Sequence, residues 1–406
     1  MIYIDTSKKY SYLFASSVMS YSISGVLMFV SLRLLGRTIY GAWLYLFFWM
    51  AITIKIFCED TSDIRFRTYF KTLLLYGAFL VIMYLLFPDT RVFFTEYRND
   101  LIFVMSYGLM AFSIIKNEQD IHQLIIDCMP IFRFAIVILS ISVVFGSANQ
   151  FGTMWLGLRI TPALLLFYYC VKYTYSGTLD KAIVVIGFIA SLFANRQTLL
   201  MVGIGLCLIW LFCGEKNDIR KNVIRFMAFM AVIIIAVLFW QYILNGIAFV
   251  ITSLGINGKG VTSLIDGTLL DSSNRNSIYE YCVEIIGKNG KNVSGLFADR
   301  LYLRQYRSNI AYAHNFVYEI LIDFGTVLGT IILVVLSWLF VRKLIKCPDK
   351  ILVLVIFLAF FARLLVSDSI ITSVLLWPFL GMLLNKSNYY SRLEESVQHD
   401  NDRQCS

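Results

Sequence analysis

Three side chains have the type and setting for acid–base or anion chemistry: His314, Arg275 and Arg196. His314 stands in Ala313-His314-Asn315-Phe316-Val317-Tyr318-Glu319, where a long polar loop runs into an apolar segment. Histidine titrates near neutrality, which suits taking a proton from a hydroxyl or, once charged, holding a phosphate. A lone histidine is, however, usually structural. Arg275 stands just ahead of Ser277-Ile278-Tyr279-Glu280, which reads as a capping box. An arginine there shares its place with free helix amides and the positive end of a helix dipole, a setting for an anion; a solvated surface arginine is the alternative. Arg196 lies in the minimal connection between two apolar runs, where an arginine can also simply snorkel to headgroups.

Around these lie further candidates. Glu319 and Asp323 are four apart and share one helix face. They can orient polar neighbours or pair with an arginine such as Arg363; a buried hydrogen-bonded pair that supports packing is the simpler reading. Gly325-x-x-x-Gly329 is a close-packing signal between helices. Arg159 and Arg363 fall near outer ends of apolar segments, and Arg300, Arg304 and Arg307 cluster before His314. Such a basic group attracts anions, or is merely a solvated run.

The elements that must position these residues are helices in a membrane. Of the 406 residues, 59% are hydrophobic and 15% charged, against roughly 25% charged in soluble domains. Twelve apolar segments are expected: 12–32, 38–57, 70–87, 101–115, 128–146, 155–176, 182–194, 197–213, 226–243, 316–341, 351–367 and 371–385. The first is too long for a signal h-region and is expected to remain as a span. The chain thus divides into spans within 1–243, a large exterior loop over 244–315, spans within 316–385, and a polar tail at 386–406.

Lys and Arg concentrate in one set of short loops, through Arg65, Arg67, Lys71, Lys172, Lys181, Lys216, Arg342, Lys343 and Lys346. That set belongs in the cytoplasm, with both termini, and the large loop lies outside. Within the loop, Ile278, Cys282, Ile285 and Ile286 have the spacing of an amphipathic helix, able to lie flat on the membrane. The net charge of +9 is scattered through short loops and gives no nucleic-acid signal. No zinc spacing, Walker loop, dinucleotide motif or acidic metal cage is visible. Cys282 is the one cysteine expected outside, so no disulfide framework is implied.

The order His314-Asn315, an acid nine positions after the histidine, then Gly325 and Gly329 resembles the signature of the O-antigen polymerase and ligase family. Asn274-Arg275, an apolar helix and then Gly295 resemble that family's loop pattern. Ala194-Asn195-Arg196-Gln197-Thr198-Leu199 is similar to its Ser-Arg-x-x-Leu element, with Asn195 in place of the serine. The resemblance covers the chain from the seventh segment onward; the first six match only in hydropathy.

It implies an all-α polytopic GT-C-like glycosyltransferase of the bacterial inner membrane, working at the periplasmic face on a polyprenyl-diphosphate-linked oligosaccharide. Arg196 and Arg275 would stabilise charge developing on the diphosphate leaving group, and His314 would deprotonate or orient the acceptor hydroxyl. Arg159, Arg300, Arg304, Arg363, Asn315 and Glu319 would bind substrate. No cofactor or metal is implied; membrane lipids are expected partners, and a chain-length regulator protein is a possible one. A polymerase joining repeat units is favoured over a ligase acting on lipid A-core. A flippase is disfavoured, because the candidate residues cluster at one face and no inverted repeat is found.

Overall fold

The computed structural model describes residues 8–20, 22–24, 27, 39–146, 150–174, 177–192, 196–212, 227, 242, 246, 249, 275–308, 310–365 and 368–386. Among these the secondary structure is all helical, with no strand. In chain order the helices are α1 (Lys9–Val18), α2 (Ile39–Glu59), α3 (Ile64–Leu86), α4 (Arg91–Glu96) and α5 (Arg98–Asn117). Next come α6 (Ile121–Asp127), α7 (Met129–Gly146), α8 (Gln150–Tyr173), α9 (Thr178–Leu192) and α10 (Arg196–Phe212). The last five are α11 (Arg275–Asn289), α12 (Ala298–Tyr306), α13 (Phe316–Lys346), α14 (Lys350–Ile356) and α15 (Leu376–Leu384).

Short polar side chains set several starts by taking up free amides of the first turn. Asp63 accepts from the Arg65 amide at 2.6 Å, Asp120 from Gln123 at 3.0 Å, Asn315 from Val317 at 2.9 Å and Asp349 from Leu352 at 2.8 Å.

Four described helices are long and apolar enough to cross a membrane: Gly41–Glu59, Ile64–Leu86, Arg98–Asn117 and Phe316–Lys346. A fifth results if α6 and the first part of α7, bent by 50°, form one span. Hydropathy suggests twelve; parts of the segments 12–32, 155–176 and 182–194 lie outside the described residues, and in others the backbone breaks. The segment 351–367 is α-helical only to Ile356 and continues as a π stretch (Phe357–Phe361) and a 3-10 turn (Ala362–Leu365), after which 366–367 lie outside the described residues. The segment 371–385 begins in turns and keeps only the short α15. Almost all of 226–243 lies outside the described residues. Conversely, 101–115, short as an apolar run, sits within the longer α5, whose π-turn at Val104–Gly108 accommodates an extra residue.

The outward faces are apolar. Phe47, Phe48 and Ile52 of α2, Leu74, Leu75 and Leu85 of α3, and Ile331, Val334 and Trp338 of α13 are all exposed. Continuous apolar surface of this kind belongs against lipid. Inside, α1, α5, α6, α8, α14 and α15 share one core, with Phe14, Tyr107, Ile114, Phe132, Phe167, Phe360 and Phe379 fully buried.

Polar contacts collect at the two ends of the bundle. At one, Lys8 pairs with Asp127 (2.9 Å), Arg65 with Glu118 (2.9 Å), and Lys343 donates to the Asn385 carbonyl (3.1 Å). His122, Tyr169 and Asp349 meet there as well. Arg65 and Lys343 of the grouped loops thus share one end with Lys8 and Asn385; the Lys216 loop lies outside the described residues. The other end carries α4, α11, α12 and the entry to α13.

Candidate functional site

The second end is organised by a break in α13. Gly325 has φ 73° and ψ 168°, a conformation confined to glycine. A side chain there would meet the carbonyl oxygens of Asn292 and Lys291 at 2.6 and 2.7 Å. The break frees backbone groups, and the preceding loop takes them up. The Asp323 carbonyl accepts from the Ser294 and Gly295 amides, both at 3.0 Å, and Thr326 N–H donates to the Gly290 carbonyl at 3.0 Å. The glycine pair read as a helix-packing signal thus seats a loop: Gly325 admits loop backbone, while Gly329 abuts residues Ile320 and Leu321 of its own helix.

Next to the break lies a buried charge cluster. The Asp323 carboxylate accepts from the Phe297 and Asp299 amides (3.2 and 3.0 Å), and Asp299 accepts from the Ala313 amide (3.0 Å). Arg300 donates to Asp299 (2.8 Å), Glu319 (3.5 Å) and the Ser369 hydroxyl (2.8 Å), and lies against the stacked rings of Tyr97 and Phe297. Glu319 in turn accepts from Ser369 (2.5 Å) and the Ile370 amide (2.9 Å). Burial by itself would lower the Arg300 pKa; Asp299, Glu319, Tyr97 and Asp323 outweigh it and hold the guanidinium well above its usual value.

Asp299, Glu319 and Asp323 each offer an oxygen within 4.8 Å of the others, a set that could take a cation. The sequence reading had seen no acidic cage, because Asp299 reads as an ordinary loop residue. Each of these carboxylates already accepts hydrogen bonds, and Arg300 supplies a positive charge among them. Two of the sequence candidates are thereby placed inward: Arg300 and Glu319 are each 1% exposed, with their polar atoms turned to one another, to Asp299 and to Ser369.

His314 stands at the rim of this cluster. It is one of two non-glycine residues at positive φ among those described (56°), the other being Phe297 (68°). The Phe297 amide is itself held by Asp323, and His314 follows Ala313, whose amide is held by Asp299, so these hydrogen bonds support an otherwise costly backbone. The His314 ring lies against Tyr312, centroids 4.1 Å apart, and Tyr312 lies 6.0 Å from the Arg300 guanidinium. The Nδ1 of His314 and the Nε of Arg363 are buried without a hydrogen-bond partner. Charge on Arg275 reaches both residues, and Arg363 also feels Asp368 and Tyr312. Burial, then Arg275, pushes the His314 pKa down from 6.5 to about 4, so the imidazole is neutral at pH 7.

Arg275, His314 and Arg363, from α11, the loop before α13 and the turn after α14, thus occupy one neighbourhood. Arg196 opens α10, which packs along α14 and its terminal turn; the Arg196 side chain lies outside the described residues. Asn315 caps α13. Arg159 is buried in α8, its carbonyl accepting from Ser22 (3.3 Å). The expected basic run divides: Arg304 forms a two-point pair with Glu96 (2.6 and 3.0 Å), and Arg307 is exposed.

The helix expected at the capping box already includes Arg275 among its described residues, so Ser277 lies within it and is not its cap. Nor does its apolar stripe lie flat on a membrane. Cys282 and Ile285 are buried against Ala298, Leu303, Ala313 and Ile322, which consumes that face. Tyr312, Asp299 and Asp368 were missed by sequence; the adjacency of Tyr312 to His314, and of Asp299 to Arg300, was the available signal. Comparison with protein-family models, with curated proteins and with solved structures gave no match.

Proposed function

We propose that the protein is an O-antigen polymerase, joining oligosaccharide repeat units carried on polyprenyl diphosphate at the outer face of the bacterial inner membrane. The observation that carries the reading is the meeting of Arg275, Arg363 and His314, two cations and a neutral imidazole, at one end of a bundle with apolar flanks. Guanidinium groups suit a diphosphate, through paired N–H donors. A neutral imidazole suits acceptance of a proton and argues against His314 as a resting phosphate-binding cation.

In this reading the acceptor hydroxyl oxygen attacks the anomeric carbon of the donor sugar. The bond from that carbon to the diphosphate oxygen breaks, its electron pair stays on that oxygen, and Arg275, with Arg196 and Arg363, stabilises the charge of the departing diphosphate. The hydroxyl proton passes to His314. An approaching dianionic diphosphate raises the basicity of His314 at the moment it is needed. Displacement in one step inverts the anomeric centre.

The test is elongation by purified protein in nanodiscs, with a polyprenyl-diphosphate-linked repeat unit, no nucleotide, and a chelator present. Mass spectrometry should show lipid-linked products spaced by one repeat, lost in His314→Ala. Transfer of the same donor only to lipid A-core would make the protein a ligase. Movement of the lipid across vesicles without new bonds would remove the enzyme assignment.

A further inference from the structure

At the end of the bundle remote from His314, α8, α9 and α10 enclose an open apolar groove of about 620 Å³. Its walls include Tyr168, Phe188, Gly203 and Trp210, and its mouth carries Lys172 and Lys181. That mouth is on the Tyr169–Asp349 side, where α13 ends and α14 begins. A Cβ built on Gly203 would meet nothing within 4 Å, so among the described residues no side chain fills the groove at that depth.

Charge and dimensions name the occupant. Lys181 is exposed, and no acidic side chain of the described residues pairs with it, because its neighbour Asp180 is buried against Arg133 at 2.8 Å. The Lys172 ammonium lies 5.3 Å from the centroid of the Tyr168 ring, placing a second positive charge beside the groove. From Lys181 to Phe188 the groove follows about 10 Å of helix. That fits within one leaflet, whose hydrocarbon is about 15 Å deep. An apolar slot of one leaflet's depth, closed at the headgroup level by two cations and flanked by Tyr and Trp, has the features of a specific lipid site.

We infer that this groove binds an anionic phospholipid, its phosphate between Lys172 and Lys181 and one acyl chain along Phe188 and Gly203. The loop charges put the mouth at the cytoplasmic leaflet. The site does not depend on the glycosyltransferase reading.

Native mass spectrometry of the full chain tests it, with dioleoyl phosphatidylglycerol and dioleoyl phosphatidylcholine in competition. Two lysines at the headgroup level should favour phosphatidylglycerol by about thirtyfold. Lys172→Gln with Lys181→Gln should bring that ratio near one, and Gly203→Phe should reduce binding of both lipids while the protein stays folded. Equal binding of the two lipids by the wild type, an undiminished preference in the lysine variant, or unchanged binding in Gly203→Phe would each overturn the site. Displacement of phosphatidylglycerol by an equal concentration of undecaprenyl phosphate would overturn the phospholipid assignment and give the groove to the carrier lipid.

Discussion

Replacing Arg300 by Met removes the one cation from among Asp299, Glu319 and Asp323 while nearly preserving side-chain length. The arginine is 1% exposed and makes three hydrogen bonds, two of them to carboxylates. Breaking a buried ion pair by removing one partner costs about 3–5 kcal/mol. Proton uptake by a carboxylate relieves part of this, so about 3 kcal/mol is the working figure, roughly two orders of magnitude in an opening equilibrium. The cost should fall on the segment the cluster pins. The amides of Phe297, Asp299 and Ala313 all donate to its carboxylates and should report it. Hydrogen exchange of the purified protein should therefore accelerate about a hundredfold at these amides, with the core of α5 unchanged. Adding Glu319→Gln should recover part of the protection, since one surplus charge is gone. Exchange within threefold of wild type at all three amides would refute the idea that the cluster holds this segment.

Arg275→Ala and Arg196→Ala should each lower polymer formation by two to three orders of magnitude with normal insertion, about 3–4 kcal/mol of lost charge stabilisation, and Arg→Lys should rescue poorly; full activity of Arg275→Ala would remove it from the site. The folded pKa of His314 lies below its usual value, so the fold favours the neutral ring. Its contribution to stability is therefore present above about 6.5 and is lost as the pH falls toward about 4, and the acid limb of kcat/KM should lie near the lower figure; a limb at 6.5 would contradict the burial argument. Gly325→Ala should destabilise by about 1–3 kcal/mol from backbone strain alone, with more from the contact with Asn292, measured by thermal unfolding in detergent. A cysteine placed at exposed Lys291 should react with a membrane-impermeant thiol reagent in intact cells with a permeabilised outer membrane; labelling only after the inner membrane is opened would reverse the orientation.

The helical, lipid-facing character of the chain was legible because it rests on composition and run length, which survive any change in backbone detail. So was the burial of Glu319 and Asp323, since two acids four apart at the head of an apolar helix must find donors. The broken helices were not legible: a glycine inside an apolar run looks the same whether it packs against a helix or ends one. The divided fate of Arg300, Arg304 and Arg307 depended on distant partners. Glu96 lies 208 residues from Arg304, and Ser369 lies 69 from Arg300. Local spacing carries no trace of such pairings.

The interruption at Gly325 also sets a depth. From Thr326 to Lys346 there are about 31 Å of helix, one hydrocarbon thickness. The outward apolar residues of this helix, Val327 through Ile345, all fall in that portion, whereas Phe316, Glu319, Ile320, Ile322 and Asp323 before it are buried in protein. Crossing the bilayer is therefore left to the lower portion alone. The upper portion, about 14 Å of helix from Phe316 to Phe324, is set off by the kink and packed in protein, and it carries His314 at its head. On the proposed function, a carrier lipid would keep its tail against the lower portion while its diphosphate and sugars reach the protein-packed upper one.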